Sequence, residues 1–369
     1  MTEQEEIDVI ESFDYDCVNQ QYGKDYLYWR RRTKEPFIYR FTGNARESVY
    51  TVNSSPLRQN AAAAERTALG KCSEKIGLAL LIFMVCELVG VSLFVALLHL
   101  IHIDIRIDFL TLKMNGSQWA VVGVRALLLT LKYLLPTVLL VRLCHIPQSI
   151  YAPAAPNGLP EHIAAAAGGL MIAGIYSLTA QNLGIETAQI LFTYKDMGAI
   201  YAYGLFDAIV GAVLAELLLR GTILPLLRQF GEPFAIVMTA VIAFLCPNKL
   251  PDRISELLIG LAAGYLMIRS GSIFKGVLLR MIYTALSYAR LVVLYTSRSL
   301  RLWEYALLLI SVGMLAAAFY FSIRKSQLRL RNNRTALSEP AKTAALIQSI
   351  TALPWFAASV LLTLFQLFY

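Results

Sequence analysis

In Ala215-Glu216-Leu217-Leu218-Leu219-Arg220-Gly221 a glutamate and an arginine stand four residues apart inside a strongly apolar run. On a helix that spacing places both side chains on one face, where the carboxylate and the guanidinium pair directly and leave less charge to desolvate. Ionisable groups at bilayer depth are costly, turn toward the interior of a bundle and mark functional sites. Two uses fit this pair: a catalytic couple, or a clamp that pins one helix to its neighbours.

The surrounding chain is membranous. It is 57% hydrophobic and 16% charged, against about 25% charged in ordinary soluble domains, and its mean hydropathy is +0.56. The net charge is +8, yet 11 of the 33 Lys/Arg and 12 of the 25 Asp/Glu lie in residues 1 to 76, so the apolar remainder is the basic part. Lysines and arginines in inner loops explain that excess better than nucleic-acid binding does, and nucleic acid is not expected as a partner. The five cysteines (Cys17, Cys72, Cys86, Cys144, Cys246) are widely spaced and suggest neither a zinc ribbon nor a disulfide framework. No signal peptide is expected, because Thr2 to Asp16 is acidic and the first long apolar run begins near Ile76.

The organisation that follows is an all-α, polytopic bundle of about eight to nine spans. Residues 1–76 read as a cytoplasmic, partly disordered segment, residues 77–197 as the first transmembrane helices, 198–296 as the core, and 297–369 as further transmembrane helices around a basic loop at 324–342. Apolar segments fall near 77–101, 119–143, 163–183, 198–226, 234–247, 254–270, 274–296, 303–323 and 345–368, against the roughly 20 residues a span requires. The fifth and sixth are short and are divided by Pro247 and Pro251, which release backbone groups that need protein or water partners. Arg324, Lys325, Arg329, Arg331, Arg334 and Lys342 place their loop in the cytoplasm, and counting back puts the N-terminus there too, in a cell-membrane protein. Within residues 1–76, Phe37 to Phe41 followed by Thr42-Gly43-Asn44 suggests a short hairpin or an interfacial patch.

Other polar residues carry weaker signals. Gly260 and Gly264 form a G-x-x-x-G that lets another helix approach closely. The four histidines (His99, His102, His145, His162) sit at span ends or in loops and form no H-E-x-x-H pair; His102 with Asp104 and Asp108 is a remote metal candidate, and no cofactor or metal is expected. Arg125 and Lys132 lie seven apart in the second segment and could line a polar path, or pair with Glu87 or Asp207.

The succession AELLLRGTILPLLRQFG, then AIVMTAVIAFLCPN, then ELLIGLAAGYLMIRSGSIFKGVLLRMIYTAL resembles the CPBP family of intramembrane proteases, the CAAX prenyl endopeptidases and bacteriocin-processing and self-immunity proteins. The resemblance implies a CAAX-protease-like core and three motifs, E-E-x-x-x-R, F-x-x-x-H and H-x-x-x-N or H-x-x-x-D. It also implies that the first glutamate and the first histidine activate a water while the later pair stabilises an oxyanion. Such roles suit amide hydrolysis, which needs a base for the water and donors for the developing charge. In this sequence the first glutamate position is Ala215, while Glu216 and Arg220 remain; Phe244 remains, but the following histidine position is Asn248; the third motif is Arg280 and Thr284. Alanine accepts no proton, asparagine does not titrate near neutrality, and arginine stays protonated. No histidine occurs after His162.

Three readings follow. The first is a pseudoenzyme that has kept the bundle, lost hydrolysis and binds a protein, peptide or anionic lipid near Glu216 and Arg280, where two arginines against one glutamate would leave an excess positive charge. The second is an active endopeptidase with Glu216 as base and Arg280 and Asn248 as oxyanion donors. The third is a transporter component, for which no internal repeat is evident. In the first, Arg280 is expected to pair with Glu216 or an anionic group.

Overall fold

A computed structural model of the protein describes residues 19–33, 56–100, 102, 105–108, 113–153, 158–182, 197–246, 250–297, 301–323 and 337–368. The sequence expectations for Asp104, Asn248, residues 37–44 and the basic stretch 324–336 fall outside these residues.

The described chain is almost wholly helical. Helix α1 (Gln20–Thr33) is followed by α2 (Pro56–Val85), which passes through a π-helical turn (Cys86–Gly90) into α3 (Val91–Leu100). A hairpin of β1 (Ile105–Asp108) and β2 (Lys113–Gly116) comes next, with Ile105 opposite Gly116. The all-α expectation holds, with this one small hairpin beside it; its four-residue strands are too short to register as a period-2 pattern between two apolar helices. Then come α4 (Gln118–Leu143), α5 (Gln148–Tyr151), α6 (Leu159–Asn182), α7 (Gly198–Arg228), α8 (Glu232–Leu245), α9 (Leu250–Ser270), α10 (Phe274–Ser297), α11 (Arg301–Ile323), α12 (Glu339–Ile347) and α13 (Ala352–Phe368).

Three of these helices, α4, α6 and α7, are long and apolar enough to span a membrane alone, and up to five spans result if the bent pairs α2–α3 and α12–α13 each count as one. The eight or nine spans suggested by hydropathy exceed that number. That lower count covers the described residues alone. The segment near 345–368 is not one straight span either, because α12 and α13 meet at 92°.

Helix α6 packs on α9, α10 and α11, α8 on α9, and α7 on α10 and α4, while α2 lies against α4, α12 and α13. The close approach of α8 and α9 has a local cause: a Cβ on Gly260 would lie 2.6 Å from Ala240 Cα. Gly264, one turn on, faces Ile236 with more room, its Cβ position lying 3.3 Å from Ile236 Cγ2. The largest apolar core joins Leu218, Leu219 and Ile223 of α7 to Met238 and Ile242 of α8, and extends to Leu80 and Phe83 of α2 and Trp355 of α13.

Within residues 1–76, α1 is a docked helix with Tyr22, Tyr26 and Trp29 buried in that same core. Composition suggests a tail because the run is polar on average; burial of three aromatics on one face is a tertiary outcome that mean polarity does not report.

Candidate functional site

Glu216 lies in the middle of α7, where the helix widens into a π-helical stretch from Leu217 to Ile223 that contains Arg220. Such widenings displace a turn of backbone and often accompany functional side chains. Arg220 Nη1 donates to Glu216 Oε1 at 3.2 Å, and both side chains are fully buried. Arg280 of α10 reaches the same oxygen, its Nε donating at 2.8 Å. The other two nitrogens of Arg280 form a fork on Glu256 of α9, Nη1 to Oε1 at 2.5 Å and Nη2 to Oε2 at 2.8 Å. Every nitrogen of the Arg280 guanidinium is thereby occupied by carboxylate, the geometry in which arginine binds most strongly.

The site thus contains two carboxylates and two guanidiniums drawn from three helices. The excess positive charge reckoned from Glu216, Arg220 and Arg280 alone is corrected by Glu256, which supplies the second negative charge. Glu256 went unrecognised in the sequence, though a signal exists: it precedes Gly260 and Gly264 at intervals of four and so shares their helix face. Closing the network in the bundle offsets the desolvation of all four charges, and stripping one partner from such a cluster costs about 3–5 kcal/mol.

Not every atom is satisfied. Glu216 Oε2 and Arg220 Nε and Nη2 are buried with no hydrogen-bond partner among the described residues. Two glycines make room beside them: a Cβ on Gly276 would come 2.8 Å from Glu216 Oε2, and one on Gly260 would come 3.3 Å from Arg220 Nη2.

The remaining motif positions are placed as follows. Ala215 is buried beside Glu216 in α7. Phe244 is half-buried against the main core near the end of α8, and its carbonyl accepts from Arg253 Nη1 at 3.2 Å. Thr284 is half-buried one turn beyond Arg280 on α10 and makes no hydrogen bond to the four charges. Asn248 lies outside the described residues. Among the described residues no group of His, Cys, Asp and Glu is arranged to hold a metal ion.

Lys132, one of the two cations of the second apolar segment, donates to Glu87 Oε2 at 2.9 Å, and its Nζ lies 5.6 Å from the Phe83 ring centroid and 5.4 Å from that of Tyr133. Asp207 accepts from Tyr288 Oη at 3.2 Å. Glu87 and Asp207 each sit in a further π-helical turn, Cys86–Gly90 and Asp207–Gly211.

With this geometry in view, residues 198–286 match the family described as Rce1-like, type II CAAX prenyl endopeptidase Rce1-like. That segment is of the CPBP family. The match begins with α7 and ends within α10, so it contains Glu216, Arg220, Glu256 and Arg280 and leaves out Glu87 and Lys132. No curated protein and no solved structure matches the chain. The CPBP segment and the apolar helices together make this an integral membrane protein in contact with lipid.

Proposed function

We propose that this CPBP-family protein is non-hydrolytic, and that it acts by binding a protein or peptide partner within a multi-pass bundle of the cell membrane whose N-terminus is cytoplasmic. One observation carries the reading. Arg280, at the position where the family resemblance implies a histidine, bridges Glu216 and Glu256 with all three of its nitrogens. A water-activating site needs a base with a free lone pair and a polarisable donor, whereas here the cation is permanently charged and fully engaged. Ala215 offers no base next to it. The charge balance contributed by Glu256 weakens the case for an anionic lipid at this point, and we favour a protein or peptide as the partner class.

The experiment is direct: full-length protein in lipid nanodiscs, incubated with prenylated C-terminal peptides and with leader-peptide substrates, is expected to release no product by mass spectrometry. Crosslinking in the membrane from a photoreactive residue replacing Thr284 is expected to capture a polypeptide. Specific cleavage would reject the proposal.

A second reading, an active endopeptidase, is favoured by one specific observation, the unpartnered Oε2 of Glu216 beside Gly276. That oxygen offers a lone pair on which a nucleophilic water could rest. Under this reading cleavage occurs and Glu216→Gln abolishes it while the protein stays folded.

A further inference from the structure

A helix ends with carbonyls that have no partner further along the chain, and in a membrane protein those groups must be satisfied by side chains, loops or water. At the end of α7, Leu227 O accepts from Phe230 N–H at 2.9 Å, Arg228 O from Gly231 N–H at 3.1 Å, and Leu226 O from the Gln229 side-chain amide at 2.7 Å. The carbonyl of Pro225 is reached from elsewhere in the chain: Tyr26 Oη of α1 donates to it at 2.8 Å. The same helix serves two further termini. Trp29 Nε1 donates to Cys144 O at the end of α4, at 3.3 Å. Asn19 meets the end of α9 twice, its backbone N–H donating to Ser270 O at 3.2 Å and its Nδ2 to Gly271 O at 3.1 Å.

These contacts form one device. Tyr26 and Trp29 follow Asn19 by seven and ten residues, which keeps the three on one side of a helix. Asn19 has two jobs at once, because its Oδ1 also accepts from Tyr22 N–H at 3.3 Å and so caps α1 itself. The negative ends of three helix dipoles meet here, and Arg228 lies over the rings of Tyr22 and Tyr26 at 5.9 and 5.3 Å from their centroids. Arg228 is held in turn by Glu232, its Nη2 donating at 2.7 Å.

The helices so capped carry three of the four charges of the site and the lysine of the second cluster: α7 with Glu216 and Arg220, α9 with Glu256 in its second turn, and α4 with Lys132. Pro225 is nine residues from Glu216, about 13 Å along the helix axis. We propose that Asn19, Tyr26 and Trp29 are positioning residues, which tie the ends of α4, α7 and α9 together and thereby set the axial register that lets Glu216 and Glu256 share Arg280. Each hydrogen bond of the network still tolerates a slide of one helix within the reach of a side chain, and α1, bound to three helix ends at once, narrows that slide. This holds whether or not the site hydrolyses a peptide.

The test is hydrogen–deuterium exchange of the full chain in lipid nanodiscs, comparing wild type with the triple variant Asn19→Leu, Tyr26→Phe, Trp29→Phe. Exchange is expected to rise about tenfold in residues 213–223 and 253–260 as well as in 19–33, and alkylation of the buried Cys144 to speed up with it. Loosening confined to 19–33 and Cys144, with 213–223 and 253–260 unchanged, would overturn the proposal and leave α1 as a surface appendage. If the triple variant does not accumulate, Tyr26→Phe alone decides: it keeps the ring and removes one hydroxyl. It is expected to speed exchange in 213–223 by about fivefold, the worth of one hydrogen bond near 1 kcal/mol, and no change there would reject the role.

Discussion

Two of the polar clusters among the described helices are built on different principles. The first, around Glu216, is closed at its centre: Glu216 and Arg220 have no exposed side-chain surface, exposure reaches 13% only at Glu256 on its rim, the cations are guanidiniums, and one of them is forked on a carboxylate. The second, around Lys132, is looser, with 13% of the Lys132 side chain and 19% of the Glu87 side chain exposed, a single hydrogen bond between them, and aromatic rings completing the surroundings of the ammonium. A guanidinium fork fixes angle as well as distance, whereas an ammonium is a point charge that can turn. On that ground the cluster inside residues 198–286 is expected to resist substitution more than the Lys132–Glu87 pair on the helices before it.

If that contrast is correct, the largest effect should come from Arg280→Ala, which strips Glu216 of one donor and Glu256 of its fork. A loss of about 3–5 kcal/mol is expected, read as a fall in thermal unfolding temperature in detergent or as failure to accumulate. Arg280→Lys should fall between wild type and alanine, because lysine keeps the charge but cannot span both carboxylates. Equal stability of Arg280→Lys and wild type would show that the fork does not matter. Next comes Gly276→Ala, expected to cost about 1–3 kcal/mol by driving a methyl against Glu216 Oε2. Lys132→Met should cost no more than about 1–2 kcal/mol, since the long apolar side chain still packs on Phe83 and Tyr133 and the partly exposed Glu87 can be hydrated. The smallest effect is expected for Tyr288→Phe, about 0.5–1 kcal/mol, from one hydrogen bond to Asp207. A Lys132→Met loss as large as that of Arg280→Ala would erase the distinction between the two clusters.

Much of the site was legible in the chain, and particular residues show why. Glu216 and Arg220 are neighbours by helix geometry alone, and their apolar surroundings mark them as interior groups. The motif order placed Arg280 close by. Glu256 was hidden because it begins an amphipathic-looking helix next to Asp252 and Arg253, where a carboxylate excites no suspicion. Lys132 had two candidate partners, Glu87 and Asp207, at unrelated sequence separations; the packing of α2 against α4 selects Glu87 for the hydrogen bond.

The sequence by itself determined that the chain is rich in apolar helices suited to a membrane and that Glu216 and Arg220 share a face; the resemblance to the CPBP family added that Ala215 and Arg280 stand where that family's motifs imply a glutamate and a histidine. The first two follow from composition and from the 3.6-residue period, which are local, and the third from the order of the motifs. Only the tertiary structure decided that Arg280 joins Glu256 to Glu216, that α1 closes the ends of α4, α7 and α9, and that α12 turns by 92° into α13. Each of those depends on which helix lies against which, and small residues such as Gly260 permit a close approach without specifying the partner that makes it.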